Sequence, residues 1–339
     1  MEARQVDELP RGAGWQYEPK WDGFRCMASR TGRRVELTGR SGKSLARYFP
    51  DIVAVLAALP ARRFVLDGEL VIPVGGSLSF EALQLRLHPA ESRIRMLVAE
   101  TPAMLIAFDL LRSPDGQNLS TRRLSERRMA LEQFFAALGE TPALRLTPAT
   151  RRRAVAAKWL DRAGGGELDG VVAKRLDEPY RAGERAMLKI KCLRTADCVV
   201  GGFRYATGSR AVGSLLLGLY NAQGLLDHVG FTSAIADNER AVLTRKLQAL
   251  RGGPGFTGDA PGGPSRWSTE RSSQWEPLKP RLVVEVQYDH MSGGRFRHGT
   301  RLVRWRPDKA PRQCTFNELQ REAAPSRMMR RLAGTGGVA

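Results

Sequence analysis

The chain has 339 residues, 42% hydrophobic and 26% charged, enough apolar sequence for a sizeable core and room for two domains. No apolar run approaches the roughly 18 residues of a membrane span, and the opening M-E-A-R-Q-V-D-E-L-P has no apolar core of a signal peptide, so a cytoplasmic protein is expected. The net charge is +19, with 22 Lys+Arg against 12 Asp+Glu in residues 194–339 and 32 against 23 in the rest. A polyanion touching both halves is the natural reading, with nucleic acid first and a general arginine bias as the alternative. Cys26, Cys192, Cys198 and Cys314 form no C-x-x-C pair, and His88, His228, His290 and His298 are scattered, which argues against zinc and against disulfides.

In chain order, residues 15–25 and 33–38 alternate apolar and polar side chains, as strands do. Leu45–Leu59 carries helical spacing up to Pro60, and Arg63–Ile72 reads as a strand pair or a bent strand. Met104–Leu111 reads as a buried strand. Ser120–Leu138 and Arg151–Ala163 read as amphipathic helices, the second ended by three glycines. Short strands follow at Gly170–Ala173 and Met187–Lys191. After Arg194 short strands alternate with glycine, with one helix near 238–251, a Gly/Pro/Ser-rich loop over 252–273, and strands at 282–288 and 301–305. That texture suggests a small, partly open barrel of the OB type. The expected domains are 1–193 and 194–325, followed by a disordered tail over 326–339.

The first chemical constellation is E-P-K-W-D-G-F-R at 18–25. A lysine attacks an α-phosphate only with a neutral amine, a state that nearby cations and partial burial favour. Alone, K-x-D-G is better explained by a turn with a surface lysine. Further along come T-G-R-S-G-K (38–43), V-L-D-G-E-L (65–70), A-F-D-L-L (107–111), L-D-G-V-V-A-K (168–174), L-K-I-K (188–191) and R-W-R-P-D-K (304–309). Two carboxylates, Glu69 and Asp169, suit an oxygen-loving divalent ion. Lys189 and Lys191, two apart on a strand, point to one face. Phe108 could cover a planar base or simply lie in the core. Asp67 reads as a turn residue, Arg185 as a phosphate ligand or a surface side chain. Phe203, Arg204 and Arg210 are candidates for facing a nucleic acid from the barrel.

Taken together and in this order, the seven motifs resemble those of the covalent nucleotidyltransferases, and among them the ATP-dependent DNA ligases. G-V-V-A-K-R, K-I-K-C-x-R-T-A-D-C-V-V-G-G and R-W-R-P-D-K-x-P are most similar to the short bacterial ligase C and the ligase domain of ligase D. The resemblance implies an α+β fold: an adenylation domain of antiparallel sheets with flanking helices, then an OB-fold barrel. It implies Lys20 as the nucleophile that carries AMP. Glu18 would meet the adenine amino group, Arg25 the ribose or phosphate, and Phe108 the adenine ring. Arg40, with Lys43 beside it, would hold the 5′-phosphate of a nick in duplex DNA. Glu69 would lie near ribose and metal, and Lys189 and Lys191 would grip the α-phosphate. Arg306, Asp308 and Lys309 would orient pyrophosphate, which needs domain closure.

ATP is the implied substrate, with Mg²⁺ or Mn²⁺ on Glu69 and Asp169 and no zinc. The family usually has Glu where this chain has Asp169. Glu167 lies two residues earlier, but the register of L-D-G-V-V-A-K-R favours Asp169, and the shorter side chain favours Mn²⁺. With 19 residues before Lys20, no N-terminal DNA-binding domain is expected, and a smaller clamp formed by loops is. A monomer acting in DNA repair at the nucleoid is expected. RNA ligase or capping guanylyltransferase is the alternative enzyme, and a non-catalytic nucleic-acid-binding protein the alternative outside enzymes. An NAD-dependent ligase is disfavoured by the missing zinc cysteines and nicotinamide-binding module.

Overall fold

The computed structural model describes residues 1–139, 141–163, 168–262 and 274–319. The chain divides into two compact units, with the break between Cys192 and Leu193. The tail expected over 326–339, the second half of the loop expected over 252–273, and Glu167 lie outside the described residues.

The first unit runs β1 (Ala3–Gln5), β2 (Trp15–Trp21), β3 (Phe24–Thr31), β4 (Arg34–Gly39), α1 (Pro50–Ala58), β5 (Arg63–Val71), β6 (Pro73–Val74), β7 (Ser77–Leu78), α2 (Phe80–Leu85), α3 (Glu91–Glu100), β8 (Met104–Arg112), α4 (Leu124–Leu138), β9 (Leu144–Leu146), α5 (Arg153–Asp161), β10 (Leu168–Arg175) and β11 (Met187–Lys191). These make a sheet of order β1-β11-β10-β2, a second of order β4-β3-β5-β8-β9, and the small hairpin β6-β7. One core cluster joins the first sheet to α5 and to the second sheet: Tyr17, Trp21, Val171 and Ile190 pack with Trp159, Val71 and Ile106. Strand alternation sends these residues inward and their neighbours Glu18, Lys20, Lys189 and Lys191 to the opposite face.

Three expectations about local structure fail for identifiable reasons. Residues 15–25 are not one strand, because the chain breaks at Asp22-Gly23 and passes from one sheet to the other. A Cβ at Gly23 would stand 2.2 Å from the Leu70 carbonyl oxygen, so the crossing needs glycine. The helix expected from Leu45 begins only at Pro50, where proline at the first helical turn sacrifices no hydrogen bond. Arg63–Val71 is one strand, and Asp67 lies in its middle, fully buried, not in a turn.

The second unit holds β12 (Arg194–Tyr205), β13 (Val212–Tyr220), β14 (Leu226–Thr232), α6 (Asp237–Gln248), β15 (Glu276–Pro277), β16 (Val283–Tyr288), β17 (Met291–Ser292), β18 (Arg295–Phe296) and β19 (Arg301–Trp305). Its main sheet has the order β14-β13-β12-β16-β19, with β15 on β12. The two ends of that order meet: Thr232 bridges Thr300, and the Thr232 hydroxyl donates to the Thr300 carbonyl at 2.9 Å. Edge strands brought together in this way close a sheet into a barrel. Phe203 is fully buried in the barrel core, so it cannot face a nucleic acid. Arg204 is half-buried and Arg210 exposed.

Candidate active site

Three strands of the first sheet build the site in two cross-strand rows. Lys20 of β2 and Lys191 of β11 both stand opposite Gly170 of β10, and Glu18 and Lys189 both stand opposite Val172. A bulge between Leu168 and Gly170 releases Asp169 from the pairing. Bulges re-aim side chains in this manner. Here the Asp169 carboxylate comes 2.6 Å from Lys20 Nζ and 3.3 Å from Lys191 Nζ. Gly170 has φ +146, and a Cβ there would meet the Ile190 carbonyl oxygen at 2.0 Å, so the bulge also needs glycine. Trp21, next to the lysine, is buried and donates its indole N–H to the buried Thr147 hydroxyl at 2.9 Å, which anchors the strand end.

Glu18 is almost wholly buried and accepts from Lys174 Nζ at 2.7 Å and from Gln16 Nε2 at 2.8 Å. Lys174 is buried as well, with its ammonium 4.7 Å from the centre of the Phe108 ring, a cation–π distance. Phe108 is half-buried on β8 of the second sheet. Arg25, on β3, spans the same ring at 5.9 Å. Its Nε and Nη2 donate to the two oxygens of Asp67 at 3.1 and 2.7 Å, and Nη1 donates to the Met1 carbonyl. The Tyr180 hydroxyl donates to Asp67 at 2.7 Å. Such a two-point fork fixes both the position and the plane of the guanidinium.

Glu69 is half-buried as a residue, but its carboxyl group is enclosed. Burial pushes its pKa up to about 8; Lys20 and Arg25 oppose the rise, and Asp22 and Asp67 add to it. Lys189 is shifted down, first by burial and then by the neighbouring Lys191 and Lys20. Arg40 is exposed and bridges Glu2 at 3.0 Å, while Lys43 is exposed on the tight loop that follows β4. Arg185 is also exposed.

Arg306, Asp308 and Lys309 lie in the second unit, on the turn after β19. Arg306 pairs with Asp308 at 2.8 Å and with Asp197 at 2.8 Å, and Lys309 pairs with Asp197 at 2.9 Å. Its pairing with Arg306 lowers the Asp308 pKa to about 2.

Among the described residues no group of three or more His, Cys, Asp or Glu could hold a metal ion. Glu69 and Asp169 are hard oxygen donors and fit a magnesium-like ion only with phosphate oxygens and water completing its shell. The residues not singled out from the sequence are Lys174, Gln16, Tyr180 and Asp197, and Asp67, read there as a turn residue, instead holds Arg25. Lys174 sits inside a motif, five residues after Asp169 on the same strand, and strand alternation from Val172 would have placed it on the site face. Tyr180 lies in the loop after β10 and carries no such signal.

A lysine cluster on one sheet, packed against a second sheet and followed by a separate small barrel, is the architecture of a covalent nucleotidyltransferase with an OB-fold domain. Family models agree: "ATP dependent DNA ligase domain" matches residues 3–191, and "ATP dependent DNA ligase C terminal region" matches 208–309. The chain belongs to the ATP-dependent DNA ligase family. It is 45% identical over 334 residues to DNA ligase C2 of Mycolicibacterium smegmatis, covering 94% of this chain and 93% of that one. It is 44% identical over 336 residues to DNA ligase C of Mycobacterium tuberculosis, covering 95% and 93%. A solved Lig E DNA ligase, described as binding DNA with a minimal scaffold, shares the fold: 17% identity, TM-score 0.55, covering 90% of this chain and all of that one.

Proposed function

We propose that this ATP-dependent DNA ligase works through Lys20, in two transfers of one adenylyl group followed by its displacement as AMP. The Lys20 amine gives up a proton and bonds to the α-phosphorus of ATP as the bond to the β-phosphate oxygen breaks and pyrophosphate leaves. A 5′-phosphate oxygen at a nick then takes the phosphorus from nitrogen. Finally the 3′-hydroxyl attacks the 5′-phosphate, a phosphodiester forms, and AMP departs. Phosphoryl transfer asks the protein mainly for positioning and charge. Lys189 and Lys191 carry positive charge to the α-phosphate, Arg25 to the ribose or phosphate, and Arg306 and Lys309 to pyrophosphate, with Asp308 holding Arg306 in place. Glu18 meets the adenine amino group and Phe108 its face, with Lys174 moving off the ring as the base enters. Arg40 and Lys43 take the nick phosphate, and backbone contacts dominate on DNA.

Glu69 and Asp169 would hold Mg²⁺ or Mn²⁺. Such an ion neutralises charge on the phosphates when bound. The protein acts as a monomer, in DNA repair, at the nucleoid.

The observation that carries this reading is the Lys20 amine held 2.6 Å from Asp169, with Lys191 on the same carboxylate. Incubation with α-labelled ATP and a divalent ion, followed by denaturing electrophoresis, tests it. The expected result is a labelled band that is absent in Lys20→Ala and chased by nicked DNA as the nick seals. A band retained in Lys20→Ala would refute the assignment, and a band formed with GTP but not ATP would point to capping chemistry.

A further inference from the structure

Asp197 has no part in the roles above, and its place in the barrel gives it one. It sits on β12 with its side chain 12% exposed. Arg306 Nη1 donates to both of its oxygens, at 3.0 and 2.8 Å, and Lys309 Nζ donates to Oδ2 at 2.9 Å. Arg306 is held from the other side too: Nε and Nη2 donate to Asp308 at 2.9 and 2.8 Å. The main chain of the turn is also tied, with the Arg306 N–H on the Val283 carbonyl and the Lys309 N–H on the Arg306 carbonyl. The two aspartates differ in kind. Asp308 is 61% exposed and belongs to the same turn as the cations. Asp197 is mostly buried and comes from a strand more than a hundred residues earlier, so its position does not depend on that turn.

A row of paired charges surrounds this arrangement. Asp197 is in register with Glu285 on β16, Glu285 with Arg304 on β19, and Arg304 Nε donates to Glu285 at 2.6 Å. Carboxylates on the inner strands thus fix cations on the outer strand and on the turn beyond it. Without Asp197, Arg306 and Lys309 would lose their common anion, and two neighbouring like charges on long stems would separate into solvent.

We propose that Asp197 is a positioning residue for the first chemical step: it holds Arg306 and Lys309 as one preset pair for the leaving pyrophosphate. The proposal rests on the reading that the 306–309 segment serves pyrophosphate release. It predicts a defect confined to lysine adenylylation, since the later transfers release no pyrophosphate. Misplacement of a positioning group can cost up to about 100-fold.

The test uses the full chain, first freed of bound AMP with pyrophosphate. Single-turnover labelling of Lys20 by ATP is compared with sealing of a nick already carrying the 5′-adenylate. In Asp197→Asn, labelling at saturating ATP should fall by about 10-fold or more, while sealing of the adenylated nick stays within about twofold. Asp197→Glu, which keeps the charge, should recover part of the loss. Where Asp197→Asn melts below the assay temperature, both of its reactions are compared with wild type at a lower temperature. An equal fall in both reactions, or in neither, overturns the proposal. Arg306→Ala and Lys309→Ala separate the layers. If they leave labelling intact, the reading of the turn itself fails. If they slow it and Asp197→Asn does not, the role of Asp197 fails alone.

Discussion

Glu69 is the residue at which chemistry and stability pull against each other. Its carboxyl group is enclosed, and burial raises its pKa to about 8. An unfolded glutamate titrates near 4.3. Between those values the folded state binds more protons than the unfolded one, so this group lowers stability as pH rises through that window. Removing the charge should reverse the effect. In nucleotide-free protein, Glu69→Gln should melt higher than wild type at pH 8 and about level with it at pH 4, below the unfolded pKa, and an equal difference at both would refute this. The same variant should lose adenylylation. At this scale motif chemistry picked out Lys20, Glu69 and Lys189 as candidates, and the fold sets Lys20 near both of the others. The sequence was uninformative about pairings that span the fold. Asp67 looked like a turn residue because D-G is a turn signal. It is a buried strand residue that locks Arg25, because the glycine after it serves close strand packing instead: a Cβ at Gly68 would stand 2.7 Å from the Ile106 carbonyl oxygen.

At the scale of elements, the bulge in β10 carries the site. The D-G of L-D-G-V-V-A-K combines a displaced carboxylate with a glycine that lets β11 approach. Gly170→Ala drives a methyl group into the Ile190 carbonyl at a φ that disfavours side chains. The expected cost is about 2–4 kcal/mol of stability, with β11 and its two lysines pushed off the Lys20 row. Thermal unfolding and Lys20 labelling should both show the loss, and a variant with wild-type labelling would contradict it. Most strands were legible from alternation or apolar runs, β8 and β10 to β14 among them. The short helices α2 and α3 were not, since neither has the length or the apolar stripe to stand out: α3 buries only Ile94 and Leu97. Register was also beyond reach. No local pattern says that Lys20 pairs across Gly170, because that pairing is set by the bulge and by the core on the other face.

For the molecule as a whole, the order β1-β11-β10-β2 has a consequence for synthesis. The nucleophile is made early, at residue 20, but its strand has one neighbour in the sheet, β10, and that strand's other neighbour is β11 at Met187–Lys191. A nascent chain grows from its N-terminus, and contacts between distant segments wait for the later segment to emerge. Until residue 191 has left the ribosome, Lys20 lacks both its anionic partner's closing strand and the neighbouring lysines Lys189 and Lys191. On the roles proposed above, a polypeptide stalled before that point is expected to be inert toward ATP. Chains arrested at 180 and at 260 residues and exposed to labelled ATP would reveal this timing. Label on the shorter chain would mean that β2 acquires reactivity without β11.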